Sequence, residues 1–284
     1  MSIYRISRIK LEPGQIFWRE AGDISHLPAL VFLHGSWDDS RQWQDVMAIL
    51  SQNFLCIAPD LLGFGDSIAN HTPNSVAIEV DCLEEFLGSL KLRSVYLIGH
   101  SLGGWIATSF ALKYPDLVEG VVAIAPEGFS LARWKKYNFL TKWLLKHPYL
   151  LKLWLLGLSA LNSLADESNL LRKPIAYWQN LQQFQATCQI FLCRSQPSIN
   201  SELVGSQLPW LKRSLLVLQP DRDDPHAIAD SQAFAQAAPR SHYQWIKVDP
   251  LAAEDLTAKQ VALEIHRFIR HVQSEIDREE HSLW

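Results

Sequence analysis

Five short runs made wholly of apolar residues, 29–33, 54–58, 95–98, 121–124 and 215–218, are separated by segments with helical periodicity. A strand with no polar face is buried on both sides, which is the condition of a parallel sheet covered by helices. A sixth run, 243–248, is mixed, and the predicted intervening helices cover 43–50, 75–90, 102–113, 230–237 and 257–272. Ahead of them, 4–11 and 15–20 alternate around Pro13-Gly14 and read as a hairpin. Strand–helix alternation specifies an α/β class, a mostly parallel sheet flanked by helices, with function at the carboxyl ends of the strands.

The alternation breaks once. Residues 130–210 contain helix-like pattern punctuated by Pro148, Pro174 and Pro197, and five of the eleven tryptophans. Because the run 215–218 resumes the sheet afterwards, this stretch is expected to be a helical cap inserted into a core built from 1–129 and 211–284.

Within the core, Val95-Tyr96-Leu97-Ile98-Gly99-His100-Ser101-Leu102-Gly103-Gly104 is an apolar strand entering Gly-x-Ser-x-Gly and then a helix. A serine on so sharp a turn occupies strained backbone, and side chains two before and two after it would collide with neighbouring elements. Gly99 and Gly103 remove those collisions. The helix that follows directs its amide end at the serine, where an oxyanion would develop.

These residues resemble the α/β-hydrolase family over nearly the whole chain, in its serine-nucleophile branch with an inserted helical cap. Leu33-His34-Gly35-Ser36-Trp37 is similar to the family's oxyanion loop, and Asp60-Leu61-Leu62-Gly63-Phe64-Gly65-Asp66-Ser67 to its Asp-x-x-Gly-x-Gly-x-Ser turn. The resemblance implies an eight-stranded-type sheet, Ser101 as nucleophile, and the backbone N–H groups of Ser36 and Leu102 as oxyanion donors. A serine rather than an aspartate implies acyl transfer on esters, thioesters or amides. His34 and His100 lie beside tight turns and are read as structural. The family's acid follows the strand after the cap, where Pro220-Asp221-Arg222-Asp223-Asp224-Pro225 offers Asp223 first, with Asp221 and Asp224 as alternatives. Pro220 stands where the family has glycine.

The family's histidine would fall in residues 248–256, which contain none, and Leu251 takes its place. The triad is therefore incomplete as read from sequence. His226, three residues after Asp223, is the possible base on the correct sheet edge. His242 begins the last strand, His266 and His271 lie within the final helix, and Glu254 and Asp255 are carboxylates of low intrinsic basicity. Two functions follow as expectations: an esterase-like hydrolase of a hydrophobic acyl substrate with an atypical base, or a catalytically impaired member that binds a ligand or a partner.

Charge is distributed unevenly. Residues 130–210 carry nine Lys and Arg against three Asp and Glu, about +6, so the remainder of the −4 chain is about −10. Every formal charge from 131 to 153 is positive (Arg133, Lys135, Lys136, Lys142, Lys146, Lys152), interspersed with Leu, Trp and Tyr. An amphipathic cap lined against an apolar pocket accounts for this pattern, as does contact with an anionic membrane surface around Lys135 to Lys152. Nucleic-acid binding is not expected, because no recognised module or aromatic–basic interleaving is present. No metal or other cofactor is expected. The four cysteines lack framework spacing, the first residues lack the apolar core of a signal peptide, and no run reaches the roughly 20 apolar residues of a membrane span, so a soluble cytoplasmic location is the expectation.

Overall fold

The computed structural model describes residues 4–26, 28–70, 74–132, 134, 147, 149–150, 153–154, 156–157, 184–247 and 254–281. Strands β1 (Arg5–Lys10) and β2 (Gly14–Ala21) form the expected hairpin. They are followed by β3 (Ala29–Leu33), β4 (Cys56–Pro59), β5 (Ile68–Ala69), β6 (Val95–His100), β7 (Val118–Ile124), β8 (Ser214–Pro220) and β9 (Ser241–Ile246). The sheet order is β1-β2-β4-β3-β6-β7-β8-β9, with β5 added beside β2. From β4 through β9 all neighbours are parallel, whereas β2 pairs antiparallel with β1, β4 and β5.

Helices α1 (Gln44–Leu50), α2 (Val76–Ser89), α3 (Leu102–Lys113), α4 (Gln185–Cys188), α5 (Gln196–Asn200), α6 (Pro225–Ala237) and α7 (Glu254–His281) are joined by short 3-10 and π turns. The wholly apolar strands are explained by two cores, one on each face. Val31, Leu33, Leu97, Val121 and Val217 face α2, α3 and α6 through Phe86, Phe110 and Phe234. Their alternates Leu30, Phe32, Ile98, Val122 and Leu218 face α1 and α7 through Met47, Ile265 and Phe268. Successive side chains point to opposite faces, so a strand covered on both sides has no place for a polar residue.

Three boundaries differ from the sequence reading. The two-residue β5 is defined by its antiparallel pairing with Gly14 and Gln15 of β2 rather than by any hydrophobic run. Helix α6 begins at Pro225 and not at Asp230, because Asp224 caps it, its side chain accepting from the His226 N–H at 2.8 Å, with proline in the first turn. Helix α7 continues to His281, past Val272, because no Gly or Pro interrupts it.

Between β7 and β8, which are neighbours in the sheet, the described residues contain helical segments and turns and no strand. This long connection therefore leaves and re-enters at adjacent strands. Arg194 and Glu202 within it form a bidentate pair, both contacts 2.7 Å, with side chains only 8% and 14% exposed. The Glu202 carbonyl accepts from Trp105 Nε1 of α3 at 3.0 Å, and its carboxylate accepts from the Val76 N–H at 3.3 Å.

Candidate active site

Ser101 joins β6 to α3 as the residue between them, with φ 53° and ψ −112°. Positive φ is costly for a residue with a Cβ, and the cost is met by an unusually complete set of backbone bonds. The Ser101 N–H donates to the Ile124 carbonyl at 2.9 Å, and the Ser101 carbonyl accepts from Gly104, Trp105 and Glu127 at 3.1, 3.2 and 3.1 Å. The flanking glycines are required sterically. A Cβ on Gly99 would lie 2.2 Å from the Gly103 carbonyl oxygen, and one on Gly103 would lie 2.2 Å from that of Leu33.

The loop after β3 is held in front of this elbow. The buried His34 ring donates from Nδ1 to the Gly35 carbonyl at 2.9 Å and accepts at Nε2 from the Leu61 N–H at 3.0 Å. Both nitrogens are thus committed in the neutral ring, and burial holds its pKa below the ordinary histidine value. Gly35 faces His100 and Ser101: a Cβ there would come within 2.6 Å of His100 Nδ1 and 3.4 Å of Ser101 Cβ. His100 Nδ1 and Gln42 Nε2 are 2.8 Å apart, and the ring borders a cavity of about 590 Å³ with Trp43, Pro220 and Ile246. The turn after β4 is tied in the same manner. Asp60 Oδ1 and Oδ2 accept from the N–H groups of Ser40 and Asp66, both at 2.8 Å, and Ser67 Oγ donates to the Asp60 carbonyl at 2.7 Å.

Ser36 and Leu102, the two residues assigned to the oxyanion site, are buried beside Ser101, at 1%, 0% and 8% exposure respectively. The Ser36 carbonyl accepts from the Thr187 hydroxyl of α4, and the Ser36 hydroxyl donates to Glu127 Oε2 at 3.1 Å. Glu127, three residues beyond β7, is itself buried. Sequence reading passed over it. The usable signal was Ala125-Pro126-Glu127-Gly128, a carboxylate at the carboxyl end of a buried strand next to the elbow strand, where active groups collect.

Next to Ser36, Trp37 opens a run of stacked aromatic rings that leads into the core. Trp37 stacks on Trp134 with centroids 5.9 Å apart, Trp134 stacks on Phe191 at 3.9 Å, and Phe191 meets Trp105 of α3 at 5.9 Å.

The remaining candidates lie around the end of β8, two strands from β6. Asp223 Oδ2 accepts from Gln219 Nε2 at 3.0 Å, and its Oδ1 accepts from the Asp224 N–H at 2.7 Å. Asp224 is occupied as the cap of α6, and Asp221 is exposed, its N–H donating to the Ile246 carbonyl at 2.9 Å. His226 is exposed on the first turn of α6. Leu251 lies outside the described residues, as do Lys135, Lys142, Lys146 and Lys152; of Glu254 and Asp255 only the backbone is described. Among the described residues no group of three or more His, Cys, Asp or Glu side chains is placed to hold a metal ion, and no helix is long and apolar enough to cross a membrane.

Residues 30–255 match the model of the alpha/beta hydrolase family. The chain belongs to that family. Among curated proteins, it is 40% identical over 103 residues to the uncharacterised protein Rv2715 of Mycobacterium tuberculosis, a match covering 36% of this chain and 30% of that protein. It is 33% identical over 135 residues to human 1-acylglycerol-3-phosphate O-acyltransferase ABHD5, covering 44% and 38% respectively. The matched region thus spans about a third of each relative's length. A thermophilic esterase from Thermogutta terrifontis shares the fold across 94% of this chain and 99% of its own, with TM-score 0.68 and 20% identity. As a member of this hydrolase family, the chain keeps the strand–elbow–helix order, with β3 and β7 flanking the elbow strand.

Proposed function

We infer that the protein is a serine hydrolase of hydrophobic acyl esters, with Ser101 as nucleophile and the Ser36 and Leu102 amides as oxyanion donors. The observation that carries this reading is the Ser101 backbone itself: a serine at φ 53°, at the amide end of a 12-residue helix, facing the Gly35-Ser36 loop. Backbone strain of this kind collects at active sites, where the surrounding bonds sustain it. The apolar side chains Trp43, Val46, Ile124, Ile246 and Val261 in the lining of the cavity beside His100 favour an apolar acyl chain over a polar one. Asp223 is the acid of this reading, with His226 the candidate base. The structural likeness to an esterase and the limited sequence likeness to an acyltransferase agree with acyl chemistry.

Reaction with a fluorophosphonate probe tests the assignment. Stoichiometric labelling, lost in Ser101→Ala, is expected, together with turnover of p-nitrophenyl esters. A wild-type protein that neither labels nor turns over would leave the second reading, a ligand-binding member of the family. That second reading is favoured by one observation, the absence of histidine from 248–256.

The segment 130–210 is read as a cap that also meets lipid. Tyr149, Leu153 and Leu156 are 83%, 65% and 59% exposed, Leu150 and Trp154 are exposed beside them, and the segment carries about +6. Apolar and aromatic surface within a basic segment is complementary to an anionic bilayer. Sedimentation with phosphatidylserine-containing vesicles is expected to be salt-sensitive and weakened by Leu153→Asp. Equal binding to purely zwitterionic vesicles, or none to either, would remove this part of the reading.

A further inference from the structure

We propose that Thr187 of α4 is a positioning residue for the Ser36 amide, so that the oxyanion site is complete only with the connection between β7 and β8 seated on the loop after β3. The proposal rests on the hydrolase reading above and names what holds one of its two oxyanion donors. Ser36 is buried and carries three polar groups. Its carbonyl accepts from the Thr187 hydroxyl, and its own hydroxyl donates to Glu127 Oε2 at 3.1 Å. Its N–H, like that of Leu102, has no acceptor among the described residues. Buried backbone N–H groups left without a partner are rare, and two of them bordering one serine are what a developing oxyanion requires.

The loop cannot hold that amide by itself. Residues 34–39 lie outside every strand and helix, so no ladder fixes their peptide planes. Without the Thr187 hydroxyl the Ser36 carbonyl would be buried without a donor, and the loop would turn to find one, displacing the N–H of the same residue. A helical threonine can turn its hydroxyl back to a carbonyl of its own helix, but the fully buried Thr187 directs it across to a segment 151 residues away. The surroundings of α4 fix that direction. Phe184 meets Trp37 edge-on at 5.6 Å, and a Cβ on Gly63 of the turn after β4 would lie 3.3 Å from Ala186 Cβ. Just beyond α4, Phe191 packs on Trp105 of α3.

Donors aimed in advance at the oxyanion stabilise the transition state more than the bound ester. An amide that has lost its aim therefore lowers kcat and leaves KM in place. A threonine that only filled space would act through stability and would not produce that split.

Thr187→Val keeps the shape of the side chain and removes the hydroxyl. Its kcat on p-nitrophenyl esters and its rate of fluorophosphonate labelling are expected to fall about tenfold to 100-fold, with KM within about twofold of wild type, the scale of a misplaced group at a reacting centre. Affinity for an aryl trifluoromethyl ketone, whose serine adduct carries the oxyanion, is expected to fall in parallel. Thr187→Ser keeps the hydroxyl and loses the methyl, and is expected to recover most of each loss. A space-filling role gives the opposite ranking, because valine fills the site and serine does not. If thermal melts show Thr187→Val unfolded, Thr187→Ala against Thr187→Ser makes the same comparison, the two differing only in the hydroxyl. A Thr187→Val protein with kcat and labelling within about threefold of wild type, while Ser101→Ala stays unlabelled, would overturn the proposal and leave the hydrolase reading standing. A valine variant less impaired than the serine variant would do the same. A wild-type protein that neither labels nor turns over would overturn both.

Discussion

At the residue scale, the site is surrounded by buried polar groups whose protonation is set by position. Glu79 of α2 is one. Its Oε1 accepts from Asn74 Nδ2 at 2.6 Å and its Oε2 from the Leu62 N–H at 3.2 Å, so it ties the turn after β4 to the start of α2. Burial pushes its carboxyl up to about 8, against the opposing effect of those two hydrogen bonds. Between the ordinary glutamate value and about 8 the folded chain therefore holds a proton that the unfolded chain has released. Its contribution to stability is full below the unfolded value and is lost as pH rises through 8. In urea titrations from pH 5 to 8.5, wild type is expected to lose stability relative to Glu79→Gln, at most about 1.4 kcal/mol per pH unit. A difference that does not change with pH would refute this. His34 acts in the opposite direction. Its lowered pKa means that the unfolded chain takes the proton first, so its contribution is lost as pH falls below the ordinary histidine value.

The local requirements at this scale were legible in the sequence. Gly99 and Gly103 announce the elbow because the collisions they avoid lie within a few residues or with a strand already recognisable. Glu127 was legible only as a carboxylate at the end of a buried strand. A loop carboxylate has the same appearance in sequence whether it meets water or Ser36, and only the adjacency of β6 and β7 decides between them.

At the element scale, the most consequential join is between the 130–210 segment and the core. Trp105, Arg194, Glu202 and Val76 converge on it, linking α3 and α2 to the chain just before β8. Breaking a buried ion pair strands its remaining charge, which costs about 3–5 kcal/mol, whereas removing both charges costs far less. Arg194→Met is expected to destabilise by about 3 kcal/mol in urea unfolding, and Arg194→Met with Glu202→Gln to recover most of that loss. Loss of stability no smaller in the double variant would show that packing, not charge, holds the join. Elements defined by hydrophobic runs were read from sequence to within a few residues, since a strand buried on both faces must be apolar throughout. Those defined by capping or by a neighbour were not: α6 is set by Asp224 and Pro225, and β5 by its pairing with β2.

At the scale of the whole molecule, class and a long connection before β8 follow from alternation, because parallel neighbours demand crossovers, whereas the order in which the strands lie does not. The chemistry was less accessible. Which carboxylates border the elbow depends on where the loops after β7 and β8 lie, and neither composition nor periodicity records that placement. The Asp223 carboxylate is satisfied by Gln219 and its own loop, whereas Glu127 reaches Ser36.

The aromatic stack offers the molecule an optical property. Trp37 lies in the loop after β3 and is 40% exposed, while Trp134 lies buried in the connection after β7, and their indoles stack at 5.9 Å. Two indoles at that separation couple their electronic transitions, so the pair is expected to give a paired signal in ultraviolet circular dichroism and mutual quenching of emission. Any molecule that enters by separating the two rings would erase that signature, allowing occupancy to be followed without a label. Trp37→Phe should abolish the coupled signal; its persistence in that variant would assign the signal to other tryptophans.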